Sequence, residues 1–464
     1  MNKGEIKNSL ARKLFIITLL SGTFTMSISQ SSLSTAYPTL MKFFGVTAPT
    51  IQWLTTGFML IMCIMMPISP WLLNNFSFKK IFLSVVGIFS IGTLIIIVAP
   101  NFPMAMLGRA LEAISVGVLF PSFQSVLLTI TPESKRGATM GYAGLVMGSA
   151  LASGPIISGI VLNFLQWQGL FVIFLLIMII IFISALFNIK DVMPRHKASL
   201  DLISTIYLLG IIGLLYVVNQ AGSTRSFSTN LVILLVISII LTVLFIHRQL
   251  TKDKPLLDLK VMKNFNFDLA VLLTGFSYIS LIVVTIIYPL YYQNILHVSV
   301  LMSGLALVPP AIVLSILNPL TGRLADKIGF KATLISGMSM IVIGWFLLFI
   351  LHTKLGILPM ILIAILIEGG NAFVMMPATT LGGNSLSEAL IPHGTAIITT
   401  VRQLLGSLGV SLATLILVTT NQKYHLPANN GLIGFQHVFA FFFGMAVIGF
   451  IFALLIKNHK KSNV

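Results

Sequence analysis

Long apolar runs recur along this chain, and they constrain its fold more than any other feature. A helix needs about 20 predominantly apolar residues to cross the hydrocarbon core of a bilayer. We count fourteen runs of this kind between Leu14 and Ile456. Only 8% of the residues are charged and 57% are hydrophobic, against about 45 to 50% in ordinary soluble domains. The sequence therefore predicts an all-α polytopic membrane protein with fourteen transmembrane helices.

The distribution of basic residues indicates an orientation. The formal net charge is +17, and most of the 28 Lys and Arg residues fall before the first predicted span or after an even-numbered span. The opposite segments hold only Lys42, Arg225, Lys354 and Lys423. Because basic residues favour the cytoplasmic side, we expect a multi-pass protein of the plasma membrane with both termini in the cytoplasm. This topology accounts for the positive charge, so no nucleic-acid partner is needed to explain it. The high content of Ile, Lys and Asn favours a bacterial source.

Two acidic residues indicate an internal repeat. Glu112 and Glu368 lie deep in apolar runs 256 positions apart, and each stands nine residues before a proline. Aligned on this spacing, the fourth span matches the twelfth, whereas the two spans between the longest polar connectors have no counterpart. We expect a six-helix bundle in residues 1–190, two linker helices with their connectors in 191–264, and a second six-helix bundle with a short basic tail in 265–464. Such repeats place a transport site between the bundles.

The same two acids are candidates for proton coupling or substrate binding, because a carboxylate near the bilayer centre is costly unless function retains it. Arg109 lies three residues before Glu112 on one helix face, so the two can form a purely structural ion pair. Burial favours the neutral form of Glu112 and Arg109 favours the charged form, so the sequence alone does not decide which form of Glu112 prevails. Glu368 has no basic residue in its span. It can carry a proton, bind a ligand, or remain a protonated acid bonded to a neighbouring helix.

The fifth span contains small residues and one proline. They are Gly141, Ala150, Gly154, Pro155, Ser158 and Gly159. Small side chains let another helix approach closely, and a proline bends its helix. The segment resembles the antiporter motif of the major facilitator superfamily, a glycine ladder that ends in Gly-Pro-x-x-Gly-Gly, with Ala150 and Ser158 in place of two glycines. Generic small-residue packing is the alternative interpretation.

A charged loop follows the tenth span. Its motif residues are Gly322, Arg323, Asp326, Lys327, Gly329 and Lys331. The loop resembles the cytoplasmic loop motif of the same superfamily, which implies a gate. We expect Asp326 to meet the amino end of the eleventh span and the basic residues to pair with carboxylates. In the first half Asn74 and Ser77 replace the aspartate and a glycine of this motif, so we expect the second half to carry more of the gate. A positive-inside turn without a gating role is the alternative.

Two further resemblances concern the path through the protein. Residues 109–113 look like the superfamily's fourth-span motif, whose arginine is linked to proton transfer, with Glu112 in place of the usual glutamine. Fourteen-span drug exporters of the family place an aspartate where Ser29 stands here. If coupling is retained, Glu112 and Glu368 are its best replacements. The candidate pathway residues are Ser29, Gln30, Ser31, Asn371, Arg402 and Gln403.

Together these resemblances imply export of hydrophobic and cationic drugs, coupled to proton influx by alternating access. The partners are then the lipid bilayer, small substrates and protons, with the proton gradient rather than a cofactor as the energy source. The chain has no Gly-x-x-x-x-Gly-Lys, His-Glu-x-x-His or Gly-x-Ser-x-Gly motif, so we expect neither an enzyme nor a metal site. The same scaffold could export an endogenous metabolite or lipid, act as an uptake symporter, or serve as a channel or sensor.

Overall fold

The computed structural model describes residues 9–195, 199–224, 228–423 and 431–457. In these ranges the chain forms seventeen α-helices and three 3-10 helices, the latter at Glu133–Lys135, Leu259–Lys263 and Glu388–Leu390. The predicted basic tail beyond Lys457 lies outside the described residues. The α-helices are α1 Ser9–Phe44, α2 Ala48–Ile51, α3 Trp53–Asn75, α4 Phe78–Ile97, α5 Phe102–Ile130, α6 Arg136–Phe164, α7 Trp167–Asn188, α8 Leu202–Tyr207, α9 Leu209–Thr224, α10 Thr229–Thr251, α11 Phe265–Asn294, α12 Val300–Leu305, α13 Val308–Ile328, α14 Phe330–Leu351, α15 Ile357–Asn384, α16 Ile391–Lys423 and α17 Leu432–Leu455.

The helices pack as two bundles that meet along a long interface. The first bundle contains α1 to α7 and the second contains α11 to α17. At the inter-bundle interface α6 lies along α13, and α16 packs against α3 and α5. Met375, Met376 and Ile391 of the second bundle are buried within the apolar core of the first. The two bundles therefore share part of one core.

Polar residues at the helix ends explain where several helices begin. Asn101 caps α5, because its side chain accepts a hydrogen bond from the Met104 amide at 3.0 Å. Asn264 caps α11 in the same way through the Asn266 and Phe267 amides. Such caps satisfy amides that have no partner within the helix. Between α13 and α14 the chain turns at Gly329, whose φ of 96° suits a residue without Cβ.

Thirteen of the described helices are long and apolar enough to span a membrane. They correspond to thirteen of the fourteen predicted spans. At the predicted seventh span the described residues contain the apolar stretch Leu202–Val217, in which Leu208 separates α8 from α9. That this stretch forms a fourteenth membrane span therefore remains a prediction.

Hydrogen bonds and ion pairs connect α8 to α10 at one end of the linker helices. Asp201 caps α8 through Ser204 and accepts hydrogen bonds from Arg248 Nε and Nη2 at 2.9 and 3.0 Å. The Lys252 ammonium lies 2.9 Å from the same carboxylate. Burial alone would raise the pKa of Asp201, but the hydrogen bonds from Arg248, Lys252 and Ser204 together lower it well below its usual range. The network thus depends on the charged carboxylate.

We predict that Asp201→Asn destabilises the purified protein by about 2 kcal/mol at pH 7, which is typical of one hydrogen bond to a charged group. Because the folded-state pKa of Asp201 is depressed, its contribution is complete above the unfolded pKa of about 4 and is lost as the pH falls below it. The measurement is thermal unfolding in detergent across this range. A difference between the wild type and Asp201→Asn that stays constant down to pH values well below about 4 would contradict the assignment.

Candidate functional site

The first buried acid forms an ion pair inside the first bundle, although Arg109 Nη2 has no hydrogen-bond partner within the described residues. Glu112 Oε2 lies 2.5 Å from Arg109 Nη1, and both side chains are at most 1% exposed. Glu112 Oε1 accepts a hydrogen bond from Thr93 Oγ1 of α4 at 2.7 Å. Glu112 therefore faces α4, within its own bundle.

Arg109 has further partners in α3. Its Nε donates to the Leu54 carbonyl oxygen at 3.3 Å, and its guanidinium lies 4.2 Å from the centre of the Phe58 ring. Gly92 and Gly108 bring α4 and α5 together beside this pair, because a Cβ on Gly92 would lie 2.6 Å from the Gly108 carbonyl oxygen. These contacts agree with a structural ion pair between Arg109 and Glu112, which is one of the roles that the sequence allowed.

The second buried acid has a different environment. Glu368 on α15 is 4% exposed, and its Oε2 accepts a hydrogen bond from Asn371 Nδ2 at 3.2 Å. Asn371 in turn accepts a hydrogen bond from Ser277 Oγ of α11 at 2.8 Å. Within the described residues no Lys, Arg or His forms an ion pair with Glu368. Its neighbours are neutral donors, so nothing fixes it in the charged form.

Two buried tyrosines of α11 form a pair, and one of them, Tyr288, lies near Glu368. Tyr288 is close enough to interact electrostatically with Glu368, and the Tyr288 and Tyr292 rings form an edge-to-face pair with centroids 6.0 Å apart. Both hydroxyl groups are buried and have no hydrogen-bond partner within the described residues. Buried hydroxyls usually find a partner, so these two hydroxyl groups are exceptions among the buried polar groups of the second bundle. The sequence drew no attention to Tyr288, because most aromatic residues in such a chain pack helices or face lipid.

The small residues of α6 allow two other helices, α13 and α1, to pack closely against it. Gly141 packs against α13, where an added Cβ would lie 2.5 Å from the Asn318 carbonyl oxygen. Gly154 packs against Ser31 of α1, and Ser31 Oγ donates to the Ala150 carbonyl oxygen at 2.9 Å. Ser158 is buried, whereas nothing lies within 4 Å of a Cβ on Gly159. The motif therefore allows close approach both within the first bundle and between the bundles.

Asp326 joins the two bundles directly. Its Oδ1 and Oδ2 accept hydrogen bonds from the Gly137 and Ala138 amides at 2.9 and 2.8 Å. The expected contact with the amino end of the eleventh span, α14, is wrong, because Asp326 binds the amino end of α6 instead. A carboxylate is favourable there, where the helix dipole presents unpaired amides. Gly137 and Gly322 allow this approach, since a Cβ on Gly322 would lie 2.1 Å from the Gly137 carbonyl oxygen.

Other loop residues differ from the expectation of carboxylate pairing. Arg323 donates to the Tyr142 hydroxyl and lies over the Tyr142 ring, and no ion pair involves Arg323, Lys327 or Lys331 within the described ranges. In the first half, Ser77 caps α4 and the Phe78 amide donates to Asp191. This contact stays within one half and does not bridge the bundles.

Two more side-chain hydrogen bonds connect the bundles at the end of the interface where Asp326 lies. Arg136 Nη1 donates to Asn384 Oδ1 at 2.9 Å, and Ser125 Oγ lies 2.5 Å from Thr395 Oγ1. With the two Asp326 hydrogen bonds they form what we call the gate contacts. The Arg136–Asn384 and Ser125–Thr395 contacts were not predicted from the sequence, because Arg136 is one of many basic loop residues and the other three are common polar residues.

We predict that Asp326→Asn slows transport about tenfold, whereas Asn74→Ala changes it by less than about twofold. Asparagine removes the negative charge at the α6 terminus and leaves one acceptor oxygen for two amides. In the part of the chain that the structure describes, no hydrogen bond or ion pair links Asn74 to the second bundle. The measurement is the initial rate of drug uptake into inside-out vesicles. Equal losses in the two variants would contradict a gate centred on the second half.

The predicted pathway residues do not form one cluster. Ser29 is buried with an unpartnered hydroxyl, Gln30 is partly buried, and Ser31 bonds α6. Asn371 joins Glu368, as described above. Arg402 and Gln403 lie on α16 beside Tyr278 of α11, whose hydroxyl donates to Gln403 Oε1 at 3.3 Å. Asn371 thus belongs with Glu368, whereas Arg402 and Gln403 contact Tyr278.

Comparison with known proteins identifies close sequence relatives. The sequence model described as Major Facilitator Superfamily matches residues 19–410. The chain is 35% identical to the uncharacterized MFS-type transporter YcnB of Bacillus subtilis, with 99% of this chain and 98% of YcnB covered. It is 34% identical to the lincomycin resistance protein LmrB of Listeria monocytogenes, with 96% and 97% covered.

The fold is also found in solved structures. The proton:xylose symporter XylE, determined with 6-bromo-6-deoxy-D-glucose bound, matches with a TM-score of 0.70 at 14% identity. The alignment covers 98% of this chain and 97% of XylE. At this identity the likeness concerns the fold alone.

Proposed function

Because this chain belongs to the major facilitator superfamily, we propose that it is a secondary active exporter that moves hydrophobic and cationic drugs against proton influx. Membership makes it a multi-pass membrane transporter of small molecules. The name of its relative LmrB, a lincomycin resistance protein, supports a drug as the substrate. Proton coupling is supported by the buried acids described above.

The environment of Glu368 carries the proposal. A carboxyl group in an apolar interior without a basic partner is most stable as the neutral acid. Glu368 lies eleven residues from the start of α15, so about 16 Å along the helix, near the middle of a bilayer about 30 Å thick. A cationic drug beside it would stabilise the carboxylate and release the proton. Proton and drug would then compete for one group, which is the requirement of antiport.

Glu112 is less suited to this task. Its carboxylate already has Arg109 and Thr93 as partners, so a proton or a drug would have to displace an existing ion pair. We propose that the Arg109–Glu112 pair stabilises the first bundle and that Glu368 carries the proton.

The gate contacts suggest how access alternates. Basic residues favour the cytoplasmic side, and those of the loops that precede α6 and follow α13 cluster at the end where the gate contacts lie. We propose that both termini are cytoplasmic and that this arrangement is closed toward the cytoplasm. Residues 1–190 and 265–464 would then rock about the α6–α13 contact, and breaking the Asp326 hydrogen bonds would open the cytoplasmic side.

The experiment uses proteoliposomes with an acidic interior. An antiporter should accumulate ethidium, a permanent cation, inside them as protons leave, and protein-free liposomes provide the control. Lincomycin tests the substrate suggested by the name of LmrB. Accumulation only when the outside is acidic would indicate a symporter instead. If no drug moves under either gradient, export of an endogenous compound replaces the proposal.

A further inference from the structure

Two hydrogen bonds in series connect α11 to Glu368 on α15. Ser277 Oγ of α11 donates to Asn371 Oδ1 at 2.8 Å, and Asn371 Nδ2 donates to Glu368 Oε2 at 3.2 Å. All three side chains are buried. Asn371 follows Glu368 by three residues, so the two side chains share one face of α15. Glu368 therefore has a hydrogen-bond donor that is itself held by a second helix.

The Ser277 hydroxyl fixes the direction of the Asn371 amide. A side-chain amide has an acceptor oxygen and a donor nitrogen. Because the oxygen of Asn371 accepts from Ser277, the nitrogen is the atom that faces Glu368. In the reversed orientation the amide oxygen would face Glu368, and only the protonated acid could bond to it. The observed orientation instead favours the carboxylate, since a donor stabilises a charged acceptor more than a neutral one.

Few other titratable side chains face Glu368. Of the helices that pack against α15, α11 contributes Tyr288, which interacts electrostatically with Glu368 but whose hydroxyl has no hydrogen-bond partner within the described residues. α13 and α14 approach the neighbouring Gly369 through Leu317 and Met340, and their charged residues stand at least six positions away, about 9 Å or more along each helix. On α5, α6 and α16 the charged side chains have other contacts: Arg109 with Glu112, Arg136 with Asn384, His393 with the Asp258 amide and Arg402 with Tyr278.

We infer that Ser277 and Asn371 are positioning residues that favour proton release from Glu368, with Ser277 acting through the orientation of Asn371. In an apolar interior the neutral acid is strongly preferred. One hydrogen bond to the carboxylate reduces this preference without fixing the charge, so both forms of Glu368 are accessible. The link to transport rests on the proposed exporter function, whereas the effect on Glu368 itself does not.

The test follows protonation of Glu368 directly, by infrared spectroscopy of the purified protein in detergent across a pH titration. A protonated carboxylic acid has its own carbonyl-stretch band, and the band of Glu368 is the one that Glu368→Gln removes. In the wild type this band should disappear as the pH rises. Asn371→Leu should move the midpoint of this loss upward by about one pH unit, the equivalent of one hydrogen bond to a charged group.

Two serine variants separate the hydroxyl from the packing around it. Ser277→Ala should shift the midpoint in the same direction, because the Asn371 amide can then turn. Ser277→Thr keeps the hydroxyl and should keep the wild-type midpoint. Ser336→Ala on α14 is the matched control, since the exposed Ser336 hydroxyl donates to the Ala332 carbonyl oxygen of its own helix. The serine variants decide the question if Asn371→Leu does not fold.

An unchanged midpoint in either Asn371→Leu or Ser277→Ala would overturn the inference, and so would equal shifts in Ser277→Ala and Ser277→Thr. It would also be overturned if Glu368→Gln removed no band, because there would then be no proton for these residues to influence.

Ethidium binding connects the titration to transport. Asn371→Leu should bind ethidium about tenfold more weakly than the wild type below the wild-type midpoint, and equally tightly well above it. An equal loss of affinity at every pH would indicate a merely structural role and overturn the inference. If the midpoints shift as expected but proteoliposomes accumulate no drug, the positioning role stands and the exporter proposal falls.

Discussion

Glu368→Gln should abolish proton-coupled drug accumulation in proteoliposomes while the protein remains folded and still binds drug. Glutamine has nearly the same shape and can accept the Asn371 hydrogen bond, but it cannot release a proton. Drug would then still equilibrate across the membrane down its own gradient. The measurement compares ethidium accumulation driven by an imposed pH gradient with passive exchange of ethidium at equal pH.

Two matched variants accompany this prediction. Glu368→Asp retains an ionisable group and should keep part of the coupling. Asp253→Asn removes an exposed carboxylate in the connector after α10 and should behave as the wild type. Full coupling in Glu368→Gln would show that the proton is carried elsewhere.

The second large effect concerns stability. Glu112→Gln should destabilise the first bundle by about 3–5 kcal/mol, which is typical when one partner of a buried ion pair is removed and the other charge stays uncompensated. Here the remaining charge is Arg109, which is 1% exposed. The measurement is denaturant or thermal unfolding of the purified protein in detergent.

The double variant Arg109→Met/Glu112→Leu is the matched control, because replacing a whole buried pair by apolar residues of similar volume is often nearly neutral. It should recover most of the lost stability. If Glu112→Gln unfolds like the wild type but no longer exchanges protons, the roles of the two acids are reversed relative to our proposal.

Much of the architecture was predictable from the sequence because a membrane span leaves a strong signal. Runs of about 20 apolar residues mark the helices, and the matching positions of Glu112 and Glu368 mark the repeat. The predicted seventh span is the exception. There Leu208 separates α8 from α9, and the length of an apolar run does not predict where a helix is interrupted.

The site was predictable only in part, since a sequence identifies residue types but not the helices they face. The partner of Asp326 was misassigned because the amino ends of α6 and α14 offer the same unpaired amides, and only the arrangement of the bundles selects α6. Arg109 and Glu112 were recognised as a pair from their spacing of three. The unpaired nitrogens of Arg402 were not predictable from the sequence, because they depend on which side chains of the described neighbouring helices face α16.

The most direct test of the central claim is proton release on drug binding, measured with a pH indicator in weakly buffered detergent solution. Adding ethidium to the purified wild type should release protons, and Glu112→Gln should release the same amount if it is folded. Glu368→Gln should bind ethidium and release none. Undiminished proton release from Glu368→Gln would contradict the assignment of Glu368 as the group for which proton and drug compete.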